Sequence, residues 1–273
     1  MPLDDAWARL VDDAAIFPPG DAPLHEATAA YGARTDEEGR ELVGTFVLKD
    51  QDLPLVRGFG GPLSVVVTGG AGQLAGPAAL CQRLGLDLAG LEIALRDPDD
   101  LAGNVRRVVA ALGEVEADVP VYVELPHVGN TSSWLAAADE VAAAELRLKF
   151  RTGGLEAAAF PAAHAVARWI DAALDRETAF KCTAGLHNAV RHTDPETGFE
   201  HHGFVNVLVA TRRLFDGAPV DEAVSVLEER DGAAVVEAAR ELDLAGARRW
   251  FTSFGSCSVA EPWADLRELG LVP

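Results

Sequence analysis

The sequence predicts an α/β fold, a (β/α)8 TIM barrel with a hairpin and helical insertion between strands 7 and 8. Eight short β-rich runs alternate with Ala/Leu-rich stretches whose apolar residues recur at three-to-four spacing. The 273 residues, 49% hydrophobic, are enough for one domain of this architecture. At the strand ends, where such a barrel keeps its active site, charged residues alternate with apolar ones. A doubly wound open sheet is the competing architecture. It is weakened because Phe17-Pro18-Pro19-Gly20 follows the first run, where a GxGxxG turn would stand. Residues 1–273 read as a single domain, with 186–203 as a hairpin lid and 220–247 as accessory helices.

The first strand is expected from Val11 to Phe17 and ends in a stiff apolar turn suited to a pocket wall. Asp12 and Asp13 open it, one toward the mouth, or as a helix cap or an arginine's partner. The second, Leu42 to Lys49, sets Thr45 and Val47 on the face of Lys49, and the third is Leu63 to Thr68. Helix Pro77 to Leu84 leads to the fourth, Leu91 to Arg96, whose Glu92, Ala94 and Arg96 share a face. Helix Leu101 to Leu112 precedes the fifth, Val119 to Leu125, which pairs Tyr122 with Glu124. Helix Ser133 to Ala144 precedes the sixth, Glu145 to Arg151. There Glu145, Arg147, Lys149 and Arg151 oppose Leu146, Leu148 and Phe150. Helix Pro161 to Leu174 carries the stripe Val166, Ile170, Leu174. The seventh strand is Ala179 to Thr183, with Lys181 and Thr183 on one face, and the eighth is Trp250 to Phe254. The apolar sets should pack on helices, leaving a charge-rich barrel mouth that is costly unless its charges pair or bind a ligand.

A formal charge of −20 excludes general binding to nucleic acid or an anionic membrane, so an anionic ligand needs a local basic pocket. Three cysteines, Cys81, Cys182 and Cys257, form no CxxC pair, and the first ten residues lack the positive and apolar regions of a leader. A reduced, cytoplasmic protein is expected, with no membrane-spanning run and no solenoid repeat. The acidic, helix-like Val220 to Ala247 is expected to flank the barrel or to form a dimer contact of a homo-oligomer.

Only three of the 23 basic residues are lysines, and Lys49, Lys149 and Lys181 each fall near a strand's C-terminal end. Arginine stays protonated and cannot act as a nucleophile, so a lysine in this background is a candidate for amine chemistry. Lys149 and Lys181 should lie side by side on adjacent strands, and a neighbouring cation lowers an amine's pKa, as Schiff-base chemistry requires. Arg147 and Arg151 add positive potential. The competing reading is a structural salt-bridge network of Glu92, Glu124, Lys149 and Lys181 that closes the core.

Lys149-Phe150-Arg151-Thr152-Gly153 resembles the KxxTG strand end that carries the Schiff-base lysine in deoxyribose-phosphate aldolase and related class I aldolases. Lys181-Cys182-Thr183-Ala184-Gly185 resembles that family's next strand, where a second lysine precedes a glycine by four positions. Phe254-Gly255-Ser256-Cys257-Ser258 is similar to its glycine-serine phosphate-binding turn on the eighth strand. The resemblance, confined to 145–185 and 250–258, implies that Lys149 forms the imine and Lys181 tunes it. It further implies that Gly153, Gly154, Gly255 and Ser256 offer donors to an anionic group, as glycine-rich turns before helices do. Arg151, Thr152, Gly185 and Ser253 complete the substrate-binding set at these strand ends. The family's fourth-strand aspartate is replaced here by Ala94, with Glu92 and Glu124 as substitutes. The 69 residues between Gly185 and Gly255 also exceed what one βα unit needs, so the substrate is not simply inherited.

Within that insertion, Asp194-Pro195-Glu196-Thr197-Gly198 is a turn between two short arms, and four of the seven histidines lie nearby. A lid bearing a general acid or base suits this composition, and His187, nearest the seventh strand, is the preferred candidate. A metal site of His187, His201 or His202 with Glu124 competes with it, as does a plain surface hairpin; the spacing matches no zinc template.

The expected function is therefore a class I aldolase-like lyase of carbohydrate metabolism. It would act on a small carbonyl substrate, phosphorylated or carboxylated and sugar-like, with no organic cofactor. Lys49 and Arg96 would bind substrate oxygens, and Glu92, Glu124 or His187 would move protons. Either Lys149 or Lys181 can be the nucleophile on these grounds. The alternatives are a metal- or acid/base-dependent isomerase or hydrolase on the same barrel, and a non-catalytic barrel that binds an anionic metabolite.

Overall fold

In a computed structural model that describes residues 2–115 and 117–273, the chain closes a barrel of eight parallel strands. In chain order these begin with β1 (Val11–Asp13), β2 (Val43–Lys49), β3 (Leu63–Val67), β4 (Leu88–Ala94), β5 (Val121–Glu124), β6 (Arg147–Arg151) and β7 (Phe180–Thr183). A two-stranded antiparallel hairpin, β8 (His192–Thr193) and β9 (Glu200–His201), comes next. The last barrel strand, β10 (Phe251–Ser256), lies between β7 and β1. The fold is the expected (β/α)8 barrel.

Helices α1 (Leu24–Ala33), α2 (Ala75–Leu84), α3 (Leu101–Leu112), α4 (Ser132–Ala143), α5 (Ala163–Asp175) and α6 (Phe204–Phe215) follow the strands. Side chains that leave the barrel outward pack beneath these helices, as the period of two requires. On β6, Leu148 and Phe150 point out, and Phe150 stacks at 6.4 Å on Trp134 of α4 and at 5.7 Å on Trp169 of α5. The layer continues through Phe180, Phe251, Phe254 and Phe204 with ring centroids 4.9 to 6.4 Å apart. Each such ring contributes about 1.5 to 3 kcal/mol of hydrophobic stabilisation. Helix starts are set locally: Asp100 accepts from Gly103 N at 2.9 Å to begin α3, and Thr131 accepts from Trp134 N at 3.2 Å to begin α4.

Several bounds differ from the sequence-based expectation. β1 stops at Asp13, because Ala15 N turns back to Asp13 Oδ1 and the following Pro18 and Pro19 have no N–H for a ladder. β6 begins at Arg147, since Glu145 takes a left-handed turn (φ 56) out of α4. β4 starts earlier, at Leu88, and β10 runs on to Ser256. α6 was not foreseen; its first eight residues, Phe204 to Thr211, are all buried. The accessory segment forms α7 (Val220–Glu228), α8 (Gly232–Glu241) and the short α9 (Leu244–Ala247), with α7 packed on α5 and α6. α10 (Ala260–Glu268) closes the chain's last unit. Among the described residues, no helix is long and apolar enough to cross a membrane.

At the C-terminal rim the loops after β6 and β7 cross in close contact. A Cβ on Gly153 would lie 2.7 Å from Gly185 Cα, and Gly185 itself has φ +76. Gly153→Ala should therefore lower stability by about 1 to 3 kcal/mol, read as a fall in the urea midpoint at unchanged slope.

Candidate active site

The inward faces of five strands converge on one chain of charges inside the barrel. Asp12 of β1 accepts from Lys181 Nζ of β7 at 2.7 Å. Lys181 also meets Glu92 Oε1 of β4 at 2.7 Å, and the other oxygen of Glu92 meets Lys149 Nζ of β6 at 2.8 Å. Lys149 reaches Glu124 Oε2 of β5 at 2.9 Å, and Arg151 donates to Glu124 Oε1 at 2.7 Å. Cations and anions alternate, three of each. Neutral donors complete the carboxylates: Ser64 Oγ to Glu92 at 2.6 Å, Ser253 Oγ to Asp12 at 2.6 Å, and Thr45 N and Oγ1 to Asp12 at 3.0 and 2.8 Å. The Tyr122 ring lies 5.2 Å from Lys181 Nζ, its negative face toward the ammonium.

Strand register orders this chain along the barrel axis. Ala94, Glu124 and Lys149 are partners across β4, β5 and β6. Ala94 is exposed, so its small side chain leaves the floor of the C-terminal mouth open directly beside Glu124 and Lys149. Lys181, the register partner of Lys149 across β6 and β7, borders a cavity of about 860 Å³ at the N-terminal end of the barrel, with Tyr122, Arg147, Ser64 and Gly90.

The electrostatics correct one expectation. Lys181 does not lower the Lys149 pKa, because Glu92 stands between the two amines. Burial on its own would lower both lysines, but Glu92 with Glu124 around Lys149, and Asp12 with Glu92 around Lys181, raise them above 10.5. Burial opposes ionisation of Glu92, yet the two lysines hold its carboxyl well below the usual carboxylate range. Glu124 is likewise lowered by Lys149 and Arg151 against its burial.

The remaining predicted residues separate by position. Lys49 and Arg96 are exposed at the rim, and Lys49 Nζ lies 5.6 Å from the Phe17 ring at the start of the Pro-rich turn. Thr152 is fully buried and gives its hydroxyl to Ala184 O at 2.6 Å, which leaves it no free donor for a ligand. Gly153 and Gly185 serve the loop crossing, and a Cβ on Gly154 would strike Ala159 at 2.7 Å. Ser253 points to Asp12 and borders the N-terminal cavity rather than the mouth. Gly255 has room for a Cβ, its nearest neighbour being Thr183 Oγ1 at 3.6 Å. Ser256 Oγ closes its own turn on Ser258 O at 2.7 Å. Arg147 is drawn down to Tyr122 Oη at 2.9 Å.

The hairpin forms as expected, its turn held by Asp194 Oδ1 accepting from the Glu196 and Thr197 amides. Its histidines do not converge on Glu124, which is engaged by Lys149 and Arg151. His202 is buried between Pro161 O at 2.7 Å and Arg191 at 3.1 Å, and burial pushes its pKa down to about 4. His201 lies 3.2 Å from Gly185 O, which ties the hairpin to the mouth. His187 faces Glu261 and Cys257. Among the described residues, no group of three or more His, Cys, Asp and Glu side chains is arranged to hold a metal ion.

Asp13 takes the other role foreseen for the paired aspartates and binds Arg34 at 2.8 Å. Sequence reasoning did not single out Ser64, which supports Glu92, or Glu261, which faces His187. Alternation marks Ser64 as inward but carries nothing that pairs it with Glu92. The fold and this charge chain define a (β/α)8 barrel with a buried polyionic centre open toward its mouth. No protein-family model and no curated protein matches the sequence.

Stability should depend on pH through the same ions. Glu92 and Glu124, lowered in the folded state, contribute stability above pH 4.5 that is lost as pH falls below it. Lys149 and Lys181, raised in the folded state, contribute stability below pH 10.5 that is lost as pH rises beyond it. Urea unfolding across pH should show both limbs. Glu92→Gln should flatten the acid limb and lower stability at neutral pH by about 3 to 5 kcal/mol, because it leaves two buried ammonium groups short of a partner.

Proposed function

We propose that the protein is a class I aldolase-type carbon-carbon lyase acting on a small carbonyl compound, with Lys149 as the imine-forming residue. The observation that carries this reading is the placement of Lys149 between Glu92 and Glu124, beside the open floor at Ala94. The resting amine is protonated, so it must first lose a proton, and Glu124 is the adjacent carboxylate nearer the mouth. The freed Nζ then adds to the carbonyl carbon, and loss of water leaves an iminium. A β-hydroxyl of the substrate then gives up its proton as the Cα–Cβ bond breaks, releasing an aldehyde or ketone and leaving an enamine, which takes up a proton before hydrolysis releases the lysine. Lys181 and Glu92 hold the charge balance while Lys149 changes state. Lys49 and Arg96 at the rim are placed to meet a substrate's anionic group.

The raised lysine pKa values favour a second reading. In it both lysines remain cations that hold a carboxylate or phosphate, and Glu124 does acid/base work in an isomerase or hydrolase.

Borohydride reduction with a panel of small aldehydes and ketones separates the two. On the first reading a stable adduct maps to Lys149, its yield rises with pH, and Lys149→Ala abolishes it. Glu124→Gln removes one carboxylate that raises the amine, so trapping should extend to lower pH, by about one unit or more, while turnover falls about 100-fold. Absence of any adduct across the panel at alkaline pH would transfer the assignment to the second reading.

A further inference from the structure

Away from the lysine chain, the C-terminal rim brings together a second set of reactive side chains from three segments. Cys257 directly follows β10, His187 lies in the loop between β7 and β8, and Glu261 lies in the first turn of α10. Cys257 Sγ is 3.7 Å from His187 Nε2, and His187 Nδ1 is 2.8 Å from Glu261 Oε2. The two ring nitrogens thus face a thiol and a carboxylate respectively, the order of nucleophile, base and orienting acid. Ser256 Oγ lies 3.5 Å from the same Nδ1. Cys257 is partly exposed, and the loop after β1 walls one side of it, since a Cβ on Gly20 would lie 2.9 Å from Cys257 Cβ.

The geometry points to Cys257 as a second nucleophile of this barrel, adding its sulfur to the carbonyl carbon of an aldehyde, with His187 carrying the proton and Glu261 as a positioning residue. The sulfur-carbon bond forms as the carbonyl π bond opens onto oxygen. The proton passed from the thiol to His187 Nε2 is delivered to that oxygen, giving a neutral hemithioacetal with no leaving group and no change of oxidation state. The choice of an aldehyde rests on the carbonyl substrate proposed above; the reactive thiol does not.

The surroundings of His187 fit this role. Cys257 and Glu261 face it from the α10 side and His201 from the hairpin, while Asp265, one turn along α10, is engaged by Asn188 and Ala189 N. Burial on its own would lower the imidazole, but Cys257 and Glu261 raise its pKa to about 9. The other two cysteines provide internal controls: Cys81 and Cys182 are buried, and burial pushes both thiols up.

The test is site-resolved alkylation by iodoacetamide across pH, read by peptide mass spectrometry on the intact chain. Cys257 should alkylate at about pH 6 at least about tenfold faster than an ordinary thiol, with Cys81 and Cys182 unreacted. His187→Gln should remove that advantage and restore the steep pH dependence of a free thiol. Glu261→Gln should give a smaller loss. Its side chain is 53% exposed, so it tests the same cluster even if the His187 variant fails to fold. Propanal should slow alkylation of Cys257 reversibly, and should still do so in Lys149→Ala. Ordinary pH dependence at Cys257, unchanged by either variant, would overturn the nucleophile. Fast alkylation without protection by propanal would overturn the aldehyde as its target. Protection that vanishes in Lys149→Ala would assign carbonyl binding to the imine and overturn addition to sulfur.

Discussion

The alternating line Asp12, Lys181, Glu92, Lys149, Glu124, Arg151 is the constraint on which the barrel interior depends. Taking an ion out of water costs several kcal/mol even after relaxation, and only close pairing with full hydrogen bonding offsets it. Five of these six side chains are almost wholly buried. The line is sustained because each lysine has two carboxylates and every carboxylate oxygen has a donor. Removing one member leaves an unmatched charge, so the six behave as one unit. Glu92 is central, since its two oxygens serve different lysines from different strands.

That arrangement divides the lumen along its axis. Above the line, exposed Ala94 and the partly exposed Arg151 keep the mouth open next to Lys149. Below it, a cavity bordered by Gly90, Ser64, Tyr122 and Arg147 lies against Lys181, where a barrel of this type is ordinarily filled by branched apolar side chains. The two lysines thus share a carboxylate, and Lys181 borders that cavity.

The rim loops are held by backbone rather than by charge. Thr152 bonds Ala184 O, Gly153 meets Gly185, and His201 bonds Gly185 O, so the hairpin is anchored to the strand ends that carry the lysines. The glycines and the threonine of the motifs after Lys149 and Lys181 are accounted for by this crossing. On the neighbouring β10 side of the rim, Cys257, His187 and Glu261 occupy the junction between the loop after β7 and α10.

Strand alternation and helix spacing are local patterns, and the sequence by itself determined what depends on them. This covers eight βα units, the inward set of Glu92, Glu124, Lys149 and Lys181, the outward set of Leu148 and Phe150, and the hairpin turn at Asp194. The network of Glu92, Glu124, Lys149 and Lys181 was among the readings of the sequence, and these four do pair. Only the tertiary structure decided their order and the extension to Asp12 and Arg151, because pairing across a closed barrel joins residues such as Asp12 and Lys181 that lie 169 positions apart. The sign of the lysine shifts changed with that pairing: adjacency alone suggests repulsion between two ammonium groups, whereas Glu92 inserted between them makes each more basic. The contact of Cys257 with His187 and Glu261 was hidden for the same reason. It has no period in the chain and arises from closure of the barrel, which brings the loop after β7 against the start of α10.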